Sequence, residues 1–555
     1  MNIDMSTPPS GGQPGTPSSV PDHATVTHQP LPRDNQSVIE AGLEIHGDGD
    51  DITLTQTPLF PPGPSRSLTL TEAFTQARQT SPTPSEPIRW VAHDLTTTAR
   101  YLREREYRMW SGMCLDSAED ILDLRDGVLP PPAREQVRLQ ERYAMVIWRV
   151  AVALDRTEAV TLVNLESDRA LLAAEFNAVG LPWNSTTFKS EMAMIAGTPT
   201  ATEPYPLLEE LDQELSAALG AVDFDWRGAF SEAFDGVTLT MEDGPEKQAL
   251  DALDSSTKEK LLQYVNISAL TSEFGYDWAD RWVVDGRWRP VFRPATAVPE
   301  LWSVLGGALR FPAQLRCCVQ APPDRILLRV HLPRRTVEFW EDMTDEVNLL
   351  SRLDRLHPVH REAVQHIRDR VEGRLAIFSV LHHGFKTLTW QEWDRLCARS
   401  PKAMDYLGSV TSLDQNRLSL RTVLGRPFPP PDVLAQEGVR RPHHLRTDEM
   451  RSAISERGKQ ALTFMHFSNI AEFTCLVAAK LRRELAQHEA QLLLVQHDEI
   501  LIETDPARAD AVEQAVLHAR RDAYGSMVHS DNVSGPPSLG RGQTWAEATA
   551  NSTLR

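Results

Sequence analysis

The segment QLLLVQHDEILIE, residues 491–503, contains three neighbouring side chains that could bind a metal ion. His497, Asp498 and Glu499 stand between two runs of branched apolar residues, which favour β-strands. A polar break between two such runs predicts a β-hairpin with the triplet at or near its tip. Two carboxylates on a rigid tip could hold a divalent cation. The simpler alternative is a polar turn whose acids face water.

A second set of side chains lies in RDRVEGRLAIFSVLHHGF. Arg370, Arg374, Phe378 and His382 recur every four residues, so a helix would place them on one face. Two cations, an aromatic ring and an imidazole in a row could bind a polyphosphate and stack a base. The alternative is an amphipathic helix with a solvated basic stripe.

These two segments resemble motifs of the family A DNA polymerases. LLLVQHDEILIE is similar to motif C, whose centre is a His-Asp-Glu hairpin, and RVEGRLAIFSVLHHG is similar to the fingers helix. GGALRFPAQLRCC resembles the approach to motif A, SERGKQALTFMHFSNIAEF the helix before motif C, and GQTWAEA the closing Gly-x-x-Trp-x-x-Ala. The five segments occur in family order. ALLAAEFNAVGLPW and WADRWVVDGRWRPVF are similar to the stand-alone polymerases of actinobacteria, which lack the 5′-nuclease domain.

The resemblance implies an α+β fold in the form of a right hand, with palm, fingers and thumb. In this family two metal ions held by palm carboxylates catalyse nucleotidyl transfer. One carboxylate would be Asp498, with Glu499 beside it and His497 supporting the turn. The cofactor would be Mg²⁺ or Mn²⁺, and the partners would be primer-template DNA and, in an active enzyme, a dNTP. The nucleotide-binding side chains would be Arg370, Arg374, Phe378 and His382.

The sequence departs from the family at motif A. An ungapped extension places His331 where the second metal-binding Asp belongs, and Thr336 where the following Glu belongs. An imidazole can bind a soft divalent metal, but Mg²⁺ prefers oxygen ligands. His331 is therefore a candidate metal ligand, and we expect DNA synthesis to be impaired or lost. Further departures are Leu301, Thr463 and Phe467, and acids that could substitute are Glu338, Glu341 and Asp342.

The segment QTPLF resembles the pentapeptide with which bacterial polymerases dock on the sliding clamp. Gln56 would enter a polar pocket, and Leu59 and Phe60 would fill an apolar one. Residues 1–86 are rich in Pro, Ser, Thr and Gly, which predicts a disordered tail that could present such a peptide. The alternative is a chance Leu-Phe pair.

Charge and composition limit the class of protein and the compartment in which it is expected. The formal charge of −20 argues against nucleic-acid binding through bulk charge but permits a basic cleft. Five cysteines without framework spacing indicate a reducing compartment, and no apolar run is long enough for a membrane span, so we expect a bacterial cytoplasmic protein. The expected organisation is a tail at 1–86, an exonuclease-like remnant at 87–135, a thumb-like region at 136–295, palm at 296–345, fingers at 346–455 and palm again at 456–555.

Three functions fit this sequence. The leading one is a polymerase-like protein that binds primer-template DNA in replication or repair, with synthesis impaired or lost. The second is an active DNA-directed DNA polymerase with a rearranged motif A. The third is a non-catalytic interaction protein on a polymerase scaffold. Basic pairs favour DNA contact over the third function, and they are Arg334-Arg335, Arg440-Arg441 and Arg482-Arg483.

Overall fold

The computed structural model describes part of the chain. The described residues are 39–46, 53–60, 66–69, 88–104, 112–126, 128, 131, 138–153, 155–220, 224–232, 244–295, 302–332, 421–430, 435, 437, 440–528 and 537–554. Side chains are described within these ranges except in the first three and at scattered positions, mainly between 455 and 466.

The N-terminal part forms a mixed five-stranded sheet with the order β3-β2-β1-β4-β5. Strands β1 to β3 are antiparallel neighbours, whereas β4 runs parallel to both β1 and β5. The strands are β1 (Ile39–His46), β2 (Thr53–Phe60), β3 (Arg66–Thr69), β4 (Ile88–Ala92) and β5 (Gly112–Cys114).

Three of these strands lie inside residues 1–86, where the composition predicts disorder. The segments IEAGLEIH and TLTQTPLF are enriched in strand-forming residues relative to the Pro- and Gly-rich sequence around them, and composition averaged over the tail hides them. The structure thus differs from the prediction over these strands. The rest of the tail lies outside the described residues.

Helices pack against this sheet and lead into the rest of the chain. They are α1 (Leu95–Arg103), α2 (Leu115–Arg125), α3 (Leu139–Val152) and α4 (Arg156–Val179). Asp155 caps α4 by accepting a hydrogen bond from the Glu158 amide at 2.9 Å. The helix ends at Gly180, whose φ is +67° and where a Cβ would lie 2.7 Å from the Trp288 carbonyl oxygen. Only glycine therefore fits this end of α4.

A helical unit follows, together with two small antiparallel sheets, one with the order β6-β8-β7 and one with the order β10-β9. Its helices are α5 (Ser185–Ala196), α6 (Pro206–Leu219), α7 (Trp226–Glu232), α8 (Pro245–Ala252), α9 (Ser255–Phe274) and α10 (Tyr276–Trp282). The short strands are β6 (Leu181–Pro182), β7 (Val283–Val284), β8 (Arg287–Trp288), β9 (Val291–Pro294) and β10 (Trp302–Leu305). Leu215, Leu219, Trp226 and Phe230 form a small separate core with Leu261 and Val265.

The C-terminal sheet is antiparallel and has the order β12-β13-β11-β14-β15. Its strands are β11 (Ile326–His331), β12 (Gln491–Gln496), β13 (Glu499–Thr504), β14 (Ser538–Gly542) and β15 (Thr553–Leu554). The long helix α11 (Asp448–Leu485) packs on β12 and against α12 (Ala509–Val528), while α13 (Trp545–Ala550) packs on β11 and β14. One hydrophobic core continues from Val91 to Ala548 through α4 and both sheets.

The sequence pattern suggests a helix that begins at Asn469, with Asn469 and Glu472 as a capping box, and this prediction is wrong. The helix begins after Thr447, whose side chain caps the Met450 amide at 3.3 Å. Asn469 instead accepts a hydrogen bond from the Val423 amide at 2.8 Å, and Glu472 is buried against Arg426. Both residues hold segment 421–430 against α11.

Candidate functional site

The HDE triplet stands at the turn of the β12–β13 hairpin, as the apolar flanks predict. Gln496 pairs with Glu499, which leaves His497 and Asp498 as a two-residue turn. His497 has a φ of +49°, a left-handed conformation that tight turns require. The turn is attached on both sides, because the Gln496 side chain donates to the Leu309 carbonyl at 2.5 Å and the Leu332 amide donates to the Asp498 carbonyl at 2.8 Å.

Strand β11 brings His331 to the same turn. His331 is the direct cross-strand partner of Glu499, and its Nε2 lies 3.1 Å from Asp498 Oδ2. Burial alone would raise the pKa of Asp498, but the hydrogen bond and charge of His331 outweigh it and hold that pKa below its usual value. The strand register therefore places His331 beside Asp498.

Glu499 does not share this exposed position. Its side chain is buried, and Arg329 approaches both of its oxygens, with Nε 2.8 Å from Oε1 and Nη2 3.0 Å from Oε2. The Trp545 indole donates to Oε1 at 2.5 Å, and an Arg316 nitrogen lies 3.6 Å from Oε2. Glu499 is thus the centre of a buried cluster formed by Arg316, Arg329 and Trp545, which we call the Glu499 cluster.

These residues do not fit a two-metal site. Asp498 is the one acid of the triplet whose side chain is substantially exposed, and its nearest charged partner is an imidazole. Among the described residues, no group of three or more His, Cys, Asp or Glu side chains has the arrangement of a metal site. Two metal ions need carboxylates that bridge them, and a hard ion such as Mg²⁺ needs oxygen ligands. Glu338, Glu341 and Asp342 lie outside the described residues.

The other predicted site residues are distributed as follows. Arg370, Arg374, Phe378 and His382 lie outside the described residues, as do Leu301, Thr336 and the side chain of Thr463. Phe467 on α11 is half-buried, with its ring centroid 6.1 Å from that of His497. Gln56, Leu59 and Phe60 lie in β2, where the backbone has strand partners on both sides at Gln56.

A cavity of about 630 Å³ opens beside His497, between α9, α10 and residues 304–310. The loop backbone is fixed there, because the indoles of Trp278 and Trp288 both donate to the Gly306 carbonyl at 3.2 Å. Gly307 has a φ of +81°, and a Cβ would lie 2.4 Å from the Phe274 ring. The polar and aromatic lining includes Glu273, Asp277, Arg281, Trp282 and Arg310.

The basic pairs do not all face solvent. Arg482 is buried and its Nε lies 2.6 Å from Glu175 Oε1, so its assignment as a DNA contact is wrong. Arg483 is half-exposed and lies 3.8 Å from Asp168. Arg440 and Arg441 are exposed, with Arg441 3.7 Å from Glu437. Arg334 and Arg335 lie outside the described residues.

The sequence interpretation missed Arg329 and Arg316. A weak signal exists for Arg329, because strand alternation puts it on the same side of β11 as His331, opposite the buried Leu328 and Val330. A cation in an otherwise apolar strand needs a buried acid as its partner. Nothing in the sequence near Arg316 indicates that its partner is Glu499.

Comparison with solved structures gives the POL domain of Pol1 from M. smegmatis, in complex with DNA primer-template and dNTP. The match covers 93% of this chain and 97% of that chain, with a TM-score of 0.64 and 14% sequence identity. No protein-family model and no curated protein matches this chain. No described helix is long and apolar enough to cross a membrane. The described part of the chain therefore has a polymerase-like fold.

Proposed function

We propose that this chain is a family A polymerase-like protein that binds primer-template DNA in bacterial replication or repair, with DNA synthesis impaired or lost. The observation that carries the proposal is the contact of 3.1 Å between His331 and Asp498. It puts an imidazole in front of the one exposed acid of the HDE turn. Templated transfer depends on preorganised charges around the phosphates, so loss of a metal-binding carboxylate removes much of the catalytic effect.

The fold supports the DNA-binding half of the proposal. A polymerase solved with primer-template DNA and dNTP shares this fold over nearly its whole length. The cavity beside His497 supplies two arginines, Arg281 and Arg310, and a tryptophan, Trp282, next to the hairpin turn. Guanidinium groups bind phosphates and aromatic rings stack bases, so we propose that the end of the primer-template duplex lies against this cavity.

In the same framework we propose that the N-terminal sheet is an exonuclease-like remnant. The candidate boundaries 87–135 include only β4, β5, α1 and α2, whereas β4 pairs with β1 in a sheet that begins at Ile39. A strand that pairs with β4 belongs to the same folding unit. The remnant would then include β1 to β3 as well. We also propose a cytoplasmic location, where DNA is available.

Primer extension tests the proposal. We expect little or no extension by the wild type with Mg²⁺ and at most slow extension with Mn²⁺, because an imidazole is a better ligand for the softer ion. Brisk wild-type synthesis that disappears in Asp498→Ala would contradict the proposal. It would favour an active enzyme in which another acid, such as Glu338, completes the site.

Fluorescence anisotropy tests DNA binding. Primer-template should bind more tightly than single strands, and the affinity should fall with salt as phosphate contacts release counterions. Arg281→Glu should weaken binding by about tenfold through the lost phosphate contact. Arg293→Glu, an exposed arginine outside the cavity lining, is the matched control and should change it little. Absence of binding at low salt would favour the non-catalytic interaction protein.

A further inference from the structure

We propose that Arg329 is a second reason why this centre does not fit a metal ion, because it occupies the oxygens of Glu499 and holds that side chain in a fixed position. This inference rests on the proposed function and extends it. His331 replaces one acid of the centre, whereas Arg329 leaves the neighbouring acid in place and occupies its oxygens. The loss of metal binding then depends on two positions of one strand, two residues apart.

The contacts of Arg329 account for this role. Its guanidinium spans both oxygens of Glu499, at 2.8 and 3.0 Å, and its remaining nitrogen donates to Ser552 Oγ at 3.2 Å. Nη2 donates a hydrogen bond to Oε2, while Nε lies close to Oε1 as an ion pair without hydrogen-bond geometry. Because the guanidinium donates to both Glu499 and Ser552, Arg329 cannot leave Glu499 without breaking contacts on β13 and near β15.

The remaining sides of Glu499 are also occupied. The Trp545 indole donates to Oε1, and the Arg316 guanidinium lies 4.3 Å from the Trp545 ring centroid while it approaches Oε2. Trp545 in turn stacks on Phe311, with ring centroids 5.9 Å apart. A carboxylate offers about four lone-pair positions, and here they face two guanidinium groups and an indole. A metal ion would have to displace at least one of these donors.

The charge balance leads to the same conclusion. Asp498 and Glu499 are the two acids of the turn, and Arg316 and Arg329 supply two permanent positive charges next to them. These four charges therefore sum to zero before any ion binds. A divalent cation meets no net negative charge here, whereas a site built for two metals needs a net excess of carboxylates.

Binding of Mn²⁺ to the full chain, measured by the electron paramagnetic resonance signal of the free ion, tests this role. His331→Asp restores one acid, and adding Arg329→Gln should release Glu499. We expect the double variant to bind Mn²⁺ at least ten times more tightly than His331→Asp alone. Adding Glu499→Gln to the double variant should remove that gain, because Glu499 is the group that Arg329 holds.

Two results would overturn the inference. One is a double variant whose Mn²⁺ affinity is within twofold of that of His331→Asp, and the other is a gain that survives Glu499→Gln. If the glutamine variant does not fold, Arg329→Lys with His331→Asp decides, because lysine keeps the charge but cannot span both oxygens. The Mn²⁺ affinity of that variant should be at least threefold higher than that of His331→Asp alone. An unchanged affinity would contradict the role of Arg329. Brisk wild-type primer extension would instead contradict the proposed function.

Discussion

Arg426 is expected to be the most sensitive position of segment 421–430. Its guanidinium is fully buried between Glu166 on α4 and Glu472 on α11, and its Nε lies 2.7 Å from Glu472 Oε1. Glu166 also pairs with the buried Arg169, but Glu472 has Arg426 as its ion-pair partner among the described residues. Arg426→Met would keep the side-chain volume and leave Glu472 buried opposite an apolar group.

The size of the effect follows from the protonation of Glu472. Burial already raises the pKa of this carboxyl above its ordinary value of 4.5, against the attraction of Arg426. Without the arginine the folded protein would hold Glu472 neutral. Protonating a carboxyl of pKa 4.5 at pH 7 costs about 3.4 kcal/mol, at 1.36 kcal/mol per pH unit. That figure is the upper limit of the loss that protonation of Glu472 adds at pH 7, because the raised pKa means that the wild type already carries part of this cost.

The direction in which the stability loss changes with pH also follows. In the variant the folded pKa lies above the unfolded one, so the penalty grows as the pH rises above 4.5. Urea unfolding should show a loss of at most about 3 kcal/mol at pH 7 and a smaller one, at most about 2 kcal/mol, at pH 6. Arg421→Met is the matched control on the same segment. Its side chain is 38% exposed and pairs with Glu158, so it should cost less than about 1 kcal/mol.

A loss below about 1 kcal/mol for Arg426→Met at pH 7, or one that does not change between pH 7 and pH 6, would refute this account. The first result would mean that Glu472 finds another partner or that it is already protonated in the wild type at pH 7. The second would mean that Glu472 does not take up a proton on losing Arg426.

Three further predictions concern the surface and the turn. Leu59→Ala with Phe60→Ala should abolish binding to the cognate sliding clamp in a surface plasmon resonance assay if QTPLF leaves the sheet to dock; unchanged affinity would reject the motif. Asp498→Asn should lower the free energy of unfolding by less than about 1 kcal/mol near pH 6 and by progressively less below about pH 3.8, because the native pKa of Asp498 is depressed. A loss of unfolding free energy that stays constant with pH in acid would contradict this. Arg482→Ala should lower the melting temperature, whereas Arg483→Ala should affect at most DNA affinity; the reverse pattern would show that the buried pair is unimportant.

The hairpin was predictable because local sequence decides it, whereas only the resemblance to motif A drew attention to His331. Two apolar runs around a polar pair leave few choices for a turn, and a strand with a fixed register carries its last residue to a fixed partner. The beginning of α11 was not predictable in the same way. Apolar residues from Ile470 to Leu481 keep helical spacing wherever the helix begins. The spacing therefore could not show that Asn469 lies in the middle of α11 and is not its N-cap.

Contacts between residues that are far apart along the chain could not be predicted from the sequence. Glu499 contacts Arg329, Arg316 and Trp545, each of which is far away along the chain, and no local pattern names such partners. The same holds for Arg482, where two neighbouring arginines look like a basic surface until the fold buries one of them against Glu175. The three strands within residues 1–86 show the opposite error, since an average over a long segment outweighed two short strand-forming runs.

Helix α4 has a consequence for how this protein could change over evolutionary time. Fifteen of its residues are buried, including Ala159, Leu165 and Phe176, and it is covered by α1 and α2 on the N-terminal side and by β9, β12 and α11 elsewhere. A gene shortened to begin near codon 156 would encode a protein in which a large apolar surface of α4 is exposed to water. Such a surface favours self-association. Selection against such truncations would retain the N-terminal unit even after its own chemistry had ceased to matter.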